Sequence, residues 1–201
     1  MTSTHVDPKE LCVRAMDLMA NGTLEDFEAV IHPDARNRED VDEPPASRGR
    51  GPAAFHATAL WLRDAYADLR WEIHDVVAEG DLVVLHATMS GRHVRTFVNY
   101  DANAQPAQAF PATGRWFATT QTHWLRMADG KIIEHWANRD DLGTAMQLGW
   151  TPPSPRYLVR MLVATRRARR EAAGERQFTD PDKIAEHRIT ASPFASFFLV
   201  R

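Results

Sequence analysis

Chemistry in this 201-residue chain concentrates around positions 131–143. Read as a strand leaving an Asp129-Gly130 turn, the stretch sets Ile132, Glu134, Trp136, Asn138 and Asp140 on one face, because strand side chains alternate. It then runs into a short helix over 142–148, with Asp140 or Asp141 as its N-cap and Gly149 as its stop. A carboxylate at the end of a core strand, beside Trp136, suits acid/base work, since apolar burial raises its basicity. Asp140 is therefore the candidate general acid/base and Asp141 the alternative acid. Acid/base work also needs polar groups that orient a ligand in front of the carboxylate. The neighbouring strand, 115–127, puts Phe117, Thr119, Gln121 and His123 on one face, which makes Gln121 and His123 the candidate orienters. His86 with Thr88, and Asn138 on the Asp140 face, are further polar candidates. Phe55, Trp61, Phe117 and Trp136 are the apolar candidates for a binding wall. The plain alternatives stay open: Asp140 only caps a helix, and Gln121 and His123 only bond each other or water on an outer face.

Other chemistries find less support. His123, His135 and Asp140 have no metal-ligand spacing, so no metal is expected. Gly49-Arg50-Gly51 follows no strand and is not a dinucleotide fingerprint, and no cofactor is expected. Cys12 has no motif partner and reads as core. The arginines at 166, 167, 169 and 170 read as a solvated helix face rather than a nucleic-acid site, because the net charge is −3 and no aromatic residues interleave with them. No apolar run approaches the roughly 18 residues of a spanning helix, and 1–5 has no signal-peptide character, so the expectation is a soluble cytoplasmic protein.

The elements that must position these residues follow from periodicity. Asp7-Pro8-Lys9-Glu10 starts a helix carrying Leu11, Ala15 and Leu18, and Asn21-Gly22 ends it. Thr23 caps a second helix with Leu24, Phe27 and Ile31 on one face, and an extended segment over 36–40 follows. After a Pro- and Gly-rich loop comes a helix over 52–66. The period then changes to that of strands, over 71–77, 82–93, 115–127 and 131–140. Residues 98–113 read as a long connection, either a binding loop or an insertion. Pro152, Pro153 and Pro155 separate the 1–150 domain from a 151–201 extension: a helix over 156–173 with Tyr157, Leu158, Met161 and Leu162 as an apolar patch, then an apolar tail over 192–201. Helices followed by a meander of long strands give α+β, with helices on one face of a curved antiparallel sheet that encloses a cone.

Several stretches together resemble the SnoaL-like polyketide cyclase (ester cyclase) family of the NTF2-like superfamily. They are 128–136 (Ala-Asp-Gly-Lys-Ile-Ile-Glu-His-Trp), Arg139-Asp140-Asp141, Gln147-Leu148-Gly149, 31–35, 111–115 and 122–126. The resemblance spans roughly 8–150 and implies an NTF2-like cone. It also implies cofactor-independent closure of a ring in a polyketide methyl ester by intramolecular aldol chemistry, with a small-molecule substrate and a homodimer or higher homo-oligomer. By position it assigns the acid/base to Asp140 and a carbonyl-holding role to His123. The fold also hosts epoxide hydrolases, dehydratases, hydroxylases and plain binding or dimerisation modules, which remain the alternatives.

Overall fold

The computed structural model describes residues 7–179. Two helices open the chain, α1 (Pro8–Asn21) and α2 (Leu24–Val30). Asp7 accepts a hydrogen bond from the Lys9 amide, and Thr23 and Asp26 form a reciprocal capping box, which satisfies amides that a helix start leaves open. Strand β1 (Ile31–Asn37) follows directly, then two single 3₁₀ turns, Asp40–Asp42 and Pro45–Ser47, and helix α3 (Gly51–Ala65). Gly51 has φ 74°, and a Cβ there would collide with the Pro33 carbonyl, so only glycine lets the chain turn into α3 so close to β1. Arg63 of α3 reaches back to the Leu18, Met19 and Gly22 carbonyls and so closes the C-terminal end of α1.

The sheet comes from β2 (Tyr66–Glu79), β3 (Leu82–His93), β6 (Trp116–Ala128) and β7 (Lys131–Arg139), paired antiparallel in the order β2-β3-β6-β7. The first strand adds to β7 in parallel, so the five-stranded sheet is mixed, with β1 at its edge. Along β6 the inward row Phe117, Thr119, Gln121, His123 and Leu125 is buried. The helices cover this concave face, and the core gathers Phe27, Ile31, Phe55, Leu85, Ile132 and Leu148 between them. This is the α+β cone expected from the sequence, with the 3₁₀ turns and the parallel edge strand added.

The stretch expected to be a plain long connection is structured. Strands β4 (Phe97–Tyr100) and β5 (Pro106–Phe110) pair as a separate hairpin. After β7 come α4 (Asp141–Leu148) and the long α5 (Pro155–Thr179), which runs further than the sequence reading placed it. The last helix holds the hairpin: the Thr165 hydroxyl accepts from the Ala109 amide, Arg169 donates to the Pro106 and Ala107 carbonyls, and the Tyr157 hydroxyl donates to the Pro111 carbonyl. Of the apolar patch expected on this helix, Tyr157 and Met161 are buried, whereas Leu158 and Leu162 face outward. The apolar tail over 192–201 lies outside the described residues.

One expectation about β7 is corrected. Met127 pairs with Ile132 but Arg126 pairs with Glu134, so β7 carries one extra residue at this point. A bulge of one residue changes which face the following side chains use. Ile132 points into the core, and beyond the bulge the inward positions belong to His135 and Arg139 rather than to Glu134, Trp136 and Asn138.

Cys12 is fully buried on α1, its Sγ 3.7 Å from the Met127 Sδ, and burial pushes its thiol up to about 12. Only the thiolate alkylates readily. Native protein at pH 8 should therefore leave Cys12 unmodified by iodoacetamide, while protein in denaturant reacts fully. Mass spectrometry of both samples checks this, and rapid native labelling would contradict the buried placement of α1.

Candidate functional site

A cavity of about 300 Å³ lies between the concave sheet face and the helices. Most of its wall is apolar: Phe27, Phe55, Trp61, Tyr66, Trp71, Phe97, Phe110, Phe117 and Trp150 contribute rings, and Met16, Met19 and Met89 fill between them. Each ring is there for a local reason. The α3 stripe supplies Phe55 and Trp61, the inward row of β6 supplies Phe117, and the hairpin supplies Phe97 and Phe110. Trp150 follows the left-handed Gly149 cap of α4 and stacks on Phe110 at 4.2 Å. Trp61 donates its indole N–H to the Val98 carbonyl, which fixes it against the hairpin.

One polar chain crosses this apolar wall. The Trp71 indole donates to Gln121 Oε1 at 3.2 Å, and the same oxygen lies 2.9 Å from His123 Nε2. His123 Nδ1 is 3.0 Å from His135 Nε2, and His135 Nδ1 is 2.9 Å from Asn37 Oδ1. Asn37 donates to Glu43 Oε1 at 3.0 Å, and the Thr58 hydroxyl closes tightly on Glu43 Oε2. Gln121, His123, Asn37, Glu43 and Thr58 are all buried. Burial disfavours charge on each member taken singly. It pushes His135 down to about 4, with Arg139 adding to the effect. His123 lies well below the usual histidine range through burial first, then through His135 and Arg139. Glu43 is pushed up to about 7 by burial, against the opposing hydrogen bond from Thr58.

The mouth is charged. Arg139 lies 3.6 Å from a Glu39 carboxylate oxygen and 3.5 Å from one of Asp141, and all three side chains line the cavity. Two buried polar atoms on the wall, Asn99 Oδ1 and Trp150 Nε1, have no hydrogen-bond partner among the described residues.

Of the residues singled out in the sequence, Gln121, His123, Phe55, Trp61, Phe117 and Asp141 come together around this cavity. Asp140 does not. Its carboxylate accepts from the Gly143 amide at 2.8 Å and caps α4, and it fills the space where a side chain on Gly143 would sit. Both aspartates are exposed, and they divide by position: Asp140 caps the helix, and Asp141 lies at the cavity mouth beside Arg139. Trp136 and Asn138 sit on the convex face because of the β7 bulge. There Trp136 stacks on Trp124 under Arg38, and Asn138 accepts from the Trp124 indole. His86 is also on that face, 4.0 Å from Asp75, and Thr88 bonds His74. Sequence reasoning missed His135, Asn37, Glu43 and Thr58. A bulge hid the first; Asn37 and Glu43 lie in an edge strand and between short turns whose pattern carries no period, and Thr58 is a polar residue on the buried face of α3.

Among the described residues no three His, Cys, Asp or Glu side chains are grouped to hold a metal ion, and no helix is long and apolar enough to cross a membrane. The profile of the SnoaL-like polyketide cyclase family matches residues 10–148. The aklanonic acid methyl ester cyclase DnrD of Streptomyces peucetius is 33% identical over 154 residues, covering 76% of this chain and 96% of that protein. The nogalonic acid methyl ester cyclase of Streptomyces nogalater is 31% identical over 129 residues, covering 64% of this chain and 87% of its own. Among solved structures, TsrD from Streptomyces laurentii superposes with a TM-score of 0.57 at 26% identity, covering 72% of this chain and 98% of its own.

The capping role of Asp140 has a measurable size. Asp140→Ala removes the acceptor for the Gly143 amide and should cost about 1 kcal/mol of stability, while Asp140→Asn, which keeps an acceptor, should cost only a few tenths. Urea denaturation of the three proteins checks this. Equal losses in both variants would show that the carboxylate charge rather than the cap is what α4 needs.

Proposed function

The chain belongs to the SnoaL-like polyketide cyclase family, and from that premise we propose that it closes a ring in an aromatic polyketide methyl ester by intramolecular aldol addition. The substrate class is that of the two methyl ester cyclases to which the chain is similar. The observation that carries the reading is the cavity itself. Its stacked rings suit a flat, fused aromatic body, and the partnerless Asn99 Oδ1 and Trp150 Nε1 suit a ligand with both hydroxyl and carbonyl groups.

The chemistry needs no redox partner. A base takes a proton from a carbon made acidic by flanking carbonyls, the enolate carbon attacks a second carbonyl, and the new alkoxide takes a proton back. Asp141 is the base in this reading, because of the two adjacent aspartates at the end of β7 it is the one that lines the cavity. Arg139 holds the Asp141 carboxylate at the mouth, where a seated substrate would meet it. Gln121 Nε2, which meets only the Met89 thioether, has an N–H to spare for the polar edge of the substrate, and His123 holds Gln121 in place through its oxygen. Asp140 contributes through α4, whose first residue is Asp141.

The test is turnover by the purified chain, with a chelator present, on an aromatic polyketide methyl ester bearing a ketone side chain. The expected product is an isomer of unchanged mass with a new carbon–carbon bond, seen by chromatography and NMR. Asp141→Asn should lower kcat by at least 100-fold, and Asp140→Asn by less than threefold. Tight binding of the ester with no ring closure would favour the binding-module alternative, and the reverse order of the two variants would return the base to Asp140.

A further inference from the structure

The polar chain behind the cavity has ends that fix its proton count. Trp71 Nε1–H can only donate, so Gln121 must turn Oε1 toward it, and Gln121 Nε2 then faces Met89 Sδ at 3.1 Å. The same Oε1 meets His123 Nε2, which must therefore carry a hydrogen. At the other end the Glu39 backbone N–H, also donor only, lies 3.2 Å from Asn37 Oδ1. That contact turns Asn37 so that Nδ2 donates to Glu43 and Oδ1 faces His135 Nδ1, which must carry a hydrogen too. Both histidines have now used the single N–H of a neutral ring on their outer neighbours. The inner contact, His123 Nδ1 to His135 Nε2 at 3.0 Å, is left as two lone pairs facing each other unless a further proton sits between them.

The surroundings favour that proton. The cavity lining around the pair contains the carboxyl groups of Glu39, Asp42, Glu43 and Asp141 against a single guanidinium, Arg139, which Glu39 and Asp141 already engage. Beneath the pair, Leu125 and Ile132 carry no charge, and Phe55 of α3 meets the His135 ring edge-on at 6.3 Å. Burial opposes an isolated charge on either histidine or on Glu43, but one proton distributed between them makes or cancels both charges together. The histidine site completes every hydrogen bond in the chain; the Glu43 site leaves the inner contact bare.

We infer that His123 and His135 share one extra proton, forming a buried imidazole–imidazolium pair balanced by an ionised Glu43 through Asn37, and that this charge stabilises the enolate oxygen during ring closure. The catalytic half of the inference rests on the cyclase reading. Asn37 transmits the hydrogen bond and not the proton, so Glu43, Asn37 and His135 are positioning residues. Their effect is to hold a positive charge under the cavity wall before substrate arrives, so that nothing need reorganise when negative charge forms. The proton taken from carbon travels to Asp141 and returns to the alkoxide; the pair gains and loses none.

The first experiment counts protons in the wild-type chain without substrate. Long-range ¹H–¹⁵N correlation at pH 7, assigned with His123→Gln and His135→Gln, should show the outer nitrogens as N–H and the inner two at averaged shifts between protonated and bare. Two plain neutral rings, each with one bare nitrogen, would overturn the inference. The second experiment is Glu43→Gln, which keeps the shape and removes the charge. Its histidine pair should lose the shared proton at pH 7, and kcat on the ester should fall at least tenfold with KM within threefold. A merely structural Glu43 would lower Tm without moving the nitrogen shifts, and unchanged kcat with the proton lost would sink the catalytic half. A shared proton in a wild-type chain that closes no ring would instead remove the cyclase reading and the enolate role with it, leaving the pair itself standing.

Discussion

Everything inside the cone depends on one extra residue in β7. Strand side chains alternate strictly, so an insertion of one exchanges the faces of all that follow. Without the offset between Met127↔Ile132 and Arg126↔Glu134, the inward row beyond it would be Glu134, Trp136 and Asn138, and His135 would lie on the convex face. With it, Ile132 keeps its place in the core while His135 comes to lie against His123, and Arg139 reaches the mouth. The same offset frees Trp136 to stack on Trp124 outside, under Arg38. The bulge therefore sorts apolar, polar and charged groups to positions that a regular strand cannot combine.

The sequence made the frame legible because the frame is periodic. Helix starts at Asp7 and Thr23 carried their own caps, the Asp129-Gly130 turn marked its hairpin, and the β6 row from Phe117 to His123 alternated as a half-buried strand does. The site was legible only where it sat on that frame: Gln121, His123, Phe55, Trp61 and Phe117 follow from periodicity and reached the cavity. Reasoning failed where period was broken or absent. A bulge leaves no mark in composition, so the β7 faces were exchanged. Glu43 sits between two 3₁₀ turns in a stretch that reads as solvent-facing loop, and nothing local reveals that Asn37 and Thr58 enclose its carboxylate. Residues 98–113 looked structureless because the β4 and β5 strands are too short for alternation to register, and α5 rather than a sheet neighbour holds them.

The adjacent aspartates show how a helix start divides labour between neighbours of identical chemistry. Asp140 turns back onto the Gly143 amide, and Gly143 makes room by having no side chain. That bond fixes the direction of α4, and its next residue, Asp141, is thereby carried to the cavity mouth beside Arg139. A pair of consecutive acids at a strand-to-helix junction thus separates into one group facing the backbone and one facing the ligand space, a distinction of position rather than of residue type.

Among its described residues α5 adds none to the cavity lining, yet it bears on two of the cavity's walls. Thr165, Arg169 and Tyr157 grip the backbone from Pro106 to Pro111, and that hairpin carries Phe97 and Phe110, on which Trp150 stacks. The grip uses main-chain carbonyls and an amide, so it is indifferent to which side chains the hairpin displays. The hairpin is in this sense a removable plate in a fixed mount: its inner rings can be exchanged over evolutionary time for larger or smaller ones while the clamp stays the same. A lineage can in this way change the length and width of the molecule it accommodates without rebuilding the sheet, the polar chain or the helix that carries Asp141.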